Sequence, residues 1–187
     1  MADRAMYHER QARMQCARHA LNNLVQQPAY EAAELDRYAI QLGGRLSLTH
    51  RWPLLGNYDI NVVMLALQSA RPPLEAAWWD ARRGAEALVE HASSHPRLAG
   101  LLVNCQKPSP WWTLRLLESR HWYAILRRPP GATAGDTWFD LDSDLESPAP
   151  LSEEELRRRL GDELSGGGHV FVVSKSRDDL DHASEES

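Results

Sequence analysis

The sequence predicts an α+β fold in which a helical half packs against an antiparallel sheet. Two observations carry this. Between residues 16 and 69, three stretches place apolar residues every three or four positions, the period of a helix. Beyond residue 74 the apolar runs become short, β-branched and aromatic, and most are cut by proline or glycine, which marks strands. Helices first and strands later is the order of an α+β chain. At 187 residues, 43% hydrophobic and 25% charged, the chain suffices for one packed core and is short for two. We expect a single domain over residues 1–175, followed by an acidic, small-residue tail over 176–187 with too little apolar content to fold.

The first helix opens at Cys16 and buries one stripe through Ala17, Ala20, Leu21, Leu24 and Val25. A second spans residues 31–42 through Leu35, Tyr38, Ala39 and Leu42, and the Gly43-Gly44 pair suits its C-terminal cap. Asp59 caps a third, with Ile60, Val63, Met64 and Leu67 on its apolar side, and Arg71-Pro72-Pro73 stops it. A strand near residues 74–79, a helix over 85–93 and a strand over 98–104 follow. Residues 121–126 and 137–141 read as two neighbouring strands joined by the loose Pro129-Pro130-Gly131 loop. Ser152 and Glu155 form a capping box that opens a helix through Leu160. Gly166 to Gly168 then release the chain into a last strand over 169–174.

A net charge of −5 without any basic block removes the field that draws a protein to a phosphate backbone, so nucleic acid is not expected as a partner. The charged opening MADRAMYHERQ is neither a secretory signal nor an anchor, and the longest apolar runs, such as 62–67, fall far short of a bilayer span. A soluble, cytoplasmic protein is expected. Cys16 and Cys105, without secretory context, read as free thiols.

Cys16 opens a helix, where backbone N–H groups and the positive end of the helix dipole stabilise a thiolate. Its own N–H, with the side-chain amide of Gln11 five residues earlier, would meet a developing oxyanion. A buried structural cysteine is the alternative, since only a partly exposed, electropositively placed thiol reads as a nucleophile. His121 starts a strand and Asp142 ends the strand beside it, so an imidazole and an orienting carboxylate meet at one edge of that hairpin. Asp140 and Asp142 share a face by alternation, and periodicity leaves open which of them holds the imidazole.

Four segments then become recognisable. YHERQARMQCARHALNNLVQ from Tyr7, GNYDINVVMLALQ from Gly56, HWYAILR from His121 and TWFDLDS from Thr137 resemble, in order, the motifs of the Josephin-domain deubiquitinases. The resemblance covers most of residues 7–174, and the compact length is similar to the small single-domain members. It implies a papain-like α+β fold with Cys16 as nucleophile, His121 as general base, Asp142 as the orienting residue and Gln11 in the oxyanion hole. It also implies ubiquitin, in chains or on proteins, as substrate and partner, a helical arm like residues 31–52 that admits the ubiquitin tail, and no cofactor or metal. The arm here is short, and a paired tryptophan, Trp111-Trp112, stands in the linker before His121. Two rival functions share the fold: a non-catalytic ubiquitin-binding module, and a thiol hydrolase of another ubiquitin-like modifier.

Other motifs give bland readings. His91 and His95 are four apart on a helix but lack the glutamate of a zinc protease. Cys16 and His19 make half a zinc site with no second pair at finger-like spacing, so His19 reads as a helix surface or packing residue. Gly166 to Gly168 lack the lysine and serine of a phosphate loop. In the pairs Trp78-Trp79 and Trp111-Trp112, core packing with one exposed ring per pair is expected.

Overall fold

A computed structural model of the chain describes residues 6–12, 15–43, 58–107, 119–128 and 138–176. Among these, the order is α1 (Cys16–Val25), α2 (Ala32–Gly43), α3 (Ile60–Ser69), β1 (Leu74–Trp78), a 3₁₀ turn (Ala81–Arg83) and α4 (Gly84–Ser94). Then come β2 (Leu98–Lys107), β3 (Ser119–Arg127), β4 (Trp138–Asp140), β5 (Ala149–Leu151), α5 (Glu153–Ser165) and β6 (His169–Lys175). The strands form one antiparallel sheet in the order β1-β6-β2-β3-β4-β5. The α+β expectation therefore holds, as does the pairing of the strands that follow His121 and Thr137: Ile125 faces Asp140 and Arg127 faces Trp138.

Strand alternation divides the core. Leu102, Trp122, Ala124, Leu126, Phe171 and Val173 face one side and are covered by α1, α2 and α3. Leu101, Val103, Tyr123, Ile125, Val170 and Val172 face the other and are covered by Leu88 and Val89 of α4 and Leu156 and Leu160 of α5. The expected helical half is thus one layer, and the two later helices supply a second on the opposite face. The three-residue β5 escaped sequence reading because Ala149, Pro150 and Leu151 carry no strand propensity.

Local rules explain most boundaries. Asp59 caps α3 by accepting from the N–H groups of Asn61 (2.9 Å) and Val62 (3.2 Å). The Ser152–Glu155 capping box is formed in both directions, and α5 continues past Leu160 to Ser165. Trp79 is buried and Trp78 is 57% exposed, the one-ring-in arrangement expected of such a pair. In α2 the buried residues are Leu35 and Ala39, whereas Leu42, expected on that stripe, is exposed. The arm beyond Gly43, Trp111-Trp112 and the tail from 177 onward lie outside the described residues. No helix among the described residues is long and apolar enough to cross a membrane.

Helix α1 departs most from expectation. Cys16, Ala17, His19, Ala20, Leu21, Asn22, Asn23 and Leu24 are all buried, so the helix is enclosed on most sides and Val25, expected in the stripe, is only half-buried. The cause is the segment before it, which lies across the polar face. Glu9 N–H donates to Asn23 Oδ1 (2.6 Å), and Asn22 Nδ2 donates to Glu9 Oε1 (2.9 Å). His19 Nδ1 pairs with Glu9 Oε2 at 2.6 Å. His19 is therefore a buried packing residue tied to Glu9 and not a surface residue.

Candidate active site

Cys16 is the first residue of α1, which packs chiefly against β3. Gln15 at the N-cap position makes no side-chain cap, and no acid lies in the first turn, so neither quenches the helix-end dipole around the thiol. The Cys16 thiol lies beside the His121 imidazole and interacts with it. The other partner of that ring is Asp142, whose Oδ1 lies 2.6 Å from His121 Nε2, which leaves Nδ1 for the thiol.

The choice between two acids, open to sequence reading, is made by the end of β4. That strand stops at Asp140, so Asp142 lies just beyond it and is free of strand alternation. The backbone N–H of Asp142 donates to Asp140 Oδ1 (2.9 Å), and that of Asp144 donates to Asp142 Oδ1 (3.0 Å). Asp142 thereby turns toward His121, while Asp140 meets the Arg159 guanidinium (3.2 Å). The expectation that Asp142 ends the strand is corrected by this turn, since β4 stops at Asp140.

The electrostatics follow from these contacts. Burial works against a charged His121, but hydrogen bonds to Asp142 and Cys16, and their negative charge, outweigh it and raise the imidazole to about 9. Burial likewise works against the Asp142 carboxylate; the His121 hydrogen bond and charge, the Asp144 N–H and the charge of Lys107 overcome it and hold its pKa below the usual carboxylate value. Burial, reinforced by Glu163 and Asp142, pushes the Cys105 thiol up to about 12. Exposure does not separate the two cysteines, at 3% for Cys16 and 8% for Cys105. Their surroundings do: Cys16 sits at a helix N-terminus against an imidazole, and Cys105 among acids.

Gln11 arrives by a different route. Its backbone N–H donates to the Ser143 carbonyl (2.6 Å), and its Oε1 accepts from Ser143 Oγ (3.2 Å). With the carbonyl end of the amide engaged, its NH₂ end is the donor available to a ligand. The loop at Asp142 and Ser143 thus meets both His121 and Gln11.

Several residues that sequence reading missed support this loop. Asn23 Nδ2 donates to the Leu141 carbonyl (2.9 Å), and His8 Nε2 donates to the Asp142 carbonyl (3.0 Å). Gln26, at φ 59° just past α1, spans both the backbone N–H and the carbonyl of Tyr7 with its side-chain amide. The legible signal was the pair Asn22-Asn23 between Leu21 and Leu24, because amides on a buried helix require partners.

His121, Asp142 and Asp144 present donor atoms within 4.8 Å of one another. All three residues are already engaged, His121 and Asp142 with each other and Asp144 with Lys107 Nζ. His91 lies on α4 with His95 at its C-cap, their ring centroids 5.5 Å apart.

A thiol set beside an imidazole that is in turn held by a carboxylate is the arrangement of a thiol hydrolase. Comparison with known proteins places it. Residues 11–174 match the Josephin family. The chain belongs to that family. Members are generally thiol proteases of the deubiquitinase type. The chain is 39% identical to Josephin-2 of Homo sapiens over 176 residues, covering 91% of this chain and 87% of that protein. It is 35% identical to a Josephin-like protein of Drosophila melanogaster over 192 residues, covering all of this chain and 81% of the relative. Ataxin-3 of Homo sapiens is 28% identical over 193 residues, which take in 90% of this chain and 45% of ataxin-3. The Josephin match spans both layers of helices and all of the sheet but Lys175, so Cys16, His121 and Asp142 all fall inside it.

Proposed function

We propose that this Josephin domain is a deubiquitinase that hydrolyses the amide bond at the C-terminus of ubiquitin through Cys16, His121 and Asp142. The observation that carries the reading is the His121 imidazole, held by Asp142 at 2.6 Å and set against the Cys16 thiol at the start of α1. With the proton on His121, as its raised pKa favours, the Cys16 thiolate attacks the carbonyl carbon of ubiquitin's terminal glycine. The Cys16 N–H and the Gln11 NH₂ hold the oxyanion. As the tetrahedral intermediate collapses, the C–N bond breaks and the imidazolium gives its proton to the departing amine, leaving a thioester on Cys16. Water, deprotonated by the same imidazole, attacks the thioester and releases ubiquitin as its carboxylate with the thiol restored.

The test is covalent labelling by ubiquitin carrying a thiol-reactive C-terminus, read by mass spectrometry on wild type, Cys16→Ala and Cys105→Ala. One adduct is expected on wild type and on Cys105→Ala, and none on Cys16→Ala. A folded wild type that takes a small alkylating reagent at Cys16 but no ubiquitin probe would remove ubiquitin as the substrate. Parallel probes built on other ubiquitin-like modifiers then identify which modifier the domain accepts.

A further inference from the structure

Helix α5 buries Leu156 and Leu160 against the sheet, and on the same i, i+3, i+4, i+7 stripe it carries Arg159 and Glu163. Charges on a core-facing stripe need partners, and these two find theirs beneath the acid loop. Arg159 lies over the Tyr123 ring, 4.8 Å from guanidinium carbon to ring centroid, with Nη2 3.2 Å from Asp140 Oδ2 and 3.9 Å from Asp142 Oδ2. Its Nε is buried without a hydrogen-bond partner, so a single Nη2 atom faces both carboxylates and no bidentate fork fixes the guanidinium to either. Tyr123 in turn donates to Glu163 Oε1 (2.9 Å) and stacks with His121 at 6.1 Å.

We propose that Arg159 and Asp140 are a positioning pair: Asp140 holds the Asp142 backbone N–H with one oxygen and Arg159 with the other, which reserves the Asp142 carboxylate for His121. The proposal rests on the reading of Cys16, His121 and Asp142 as the working triad. A guanidinium released from Asp140 has a second carboxylate within reach, and every share of Asp142 it takes is lost to the imidazolium. Among the described residues, the remaining charged or titratable groups around this centre are Cys16 of α1, Cys105 and Lys107 of β2, Tyr123 of β3, Glu163 of α5, Asp144 of the acid loop and His8 of the leading segment. Among them Lys107 is paired with Asp144 and Tyr123 with Glu163, and His8 meets only the Asp142 carbonyl. Arg159 is therefore the cation that Asp140 must hold away.

The experiment is an NMR titration of the His121 Cε1–H resonance, assigned by its loss in His121→Gln, on the free full-length chain. Asp140→Asn keeps an oxygen for the Asp142 N–H but gives up the charge that retains Arg159. Its His121 midpoint is expected about one pH unit below wild type, with the basic limb of kcat/KM on a fluorogenic ubiquitin amide moving with it. Adding Arg159→Met removes the competitor, and the midpoint is expected to return to within about 0.3 of wild type. Arg159→Met alone is expected at or above the wild-type midpoint, and this arm stands even if Asp140→Asn fails to fold. An unmoved Asp140→Asn midpoint, a double variant that stays low, or an Arg159→Met midpoint that falls each overturns the pair. Because the titration is read without substrate, the expected shifts in a protein that never turns over ubiquitin would sink the triad's proposed substrate and leave the pair standing.

Discussion

His121 and Asp142 are 21 positions apart in the chain and meet, Nε2 to Oδ1, at 2.6 Å, both of them buried. The contact raises the imidazole to about 9 and depresses the carboxylate, so a charged pair is the resting state at neutral pH. Linkage gives the direction. A histidine raised above its ordinary value of 6.5 contributes stability that is complete below that value and is lost as pH rises through about 9. A depressed carboxylate contributes stability above its ordinary 3.8 that is lost as pH falls through its lower folded value. Thermal unfolding between pH 6 and 10 should therefore show a loss of at most about 3 kcal/mol that is absent from His121→Gln. An equal decline in that variant would place the titration elsewhere.

Replacing Asp142 separates orientation from charge. Asp142→Ala removes both, and kcat/KM toward a ubiquitin amide is expected to fall by about 100-fold or more. Asp142→Asn keeps a partner for Nε2 but not the negative charge. It should retain most of the turnover at its own optimum, with the basic limb moved below that of wild type because the imidazolium is no longer supported by an anion. A pH-rate profile of the two variants checks this, and equal losses in both would mean that charge alone matters.

Gln11 is tested by the division of its effect between kcat and KM. As a donor to the oxyanion it meets charge that exists only near the transition state, so Gln11→Ala should lower kcat by about 100- to 1,000-fold and leave KM within about threefold. The Gln11 backbone bond to Ser143 survives the substitution, so the loop should remain in place. A rise in KM at constant kcat would reassign Gln11 to ordinary substrate binding.

What the sequence disclosed and what it withheld have physical causes. Caps and periodicities are local, so the Asp59 cap, the Ser152 capping box and the strands around His121 were legible from a few neighbouring residues. The choice between Asp140 and Asp142 was not, because it depends on where β4 ends and on Arg159 arriving from α5 some twenty positions later. The enclosure of α1 was hidden for the same reason: Asn22, Asn23 and His19 look like an exposed polar face until the segment at Glu9 crosses them. Thiol exposure, a sound criterion in general, failed here because Cys16 is as buried as Cys105 and differs from it only in its neighbours.

The approach of α1 to the sheet depends on a residue with no side chain. Gly100 is buried in β2 beside a register irregularity in its pairing with β6. A Cβ there would lie 2.5 Å from Leu126 Cδ2, 2.7 Å from Leu24 Cδ1 and 2.9 Å from the Ile125 carbonyl oxygen. Leu24 belongs to α1 and Leu126 to β3, both in the close-packed core, so neither moves without displacing others. Gly100→Ala should destabilise the fold by about 1–3 kcal/mol. It should also lower kcat/KM in the folded fraction, since pushing on Leu24 tilts the helix that carries Cys16 at its other end. Leu24→Ala is costly by itself, yet it removes the clash, so the double variant should be more stable than the sum of the single losses by about 1 kcal/mol. Denaturant unfolding of the four proteins measures this coupling, and strict additivity would show that the strain is taken up by Leu126 or the Ile125 carbonyl and never reaches α1.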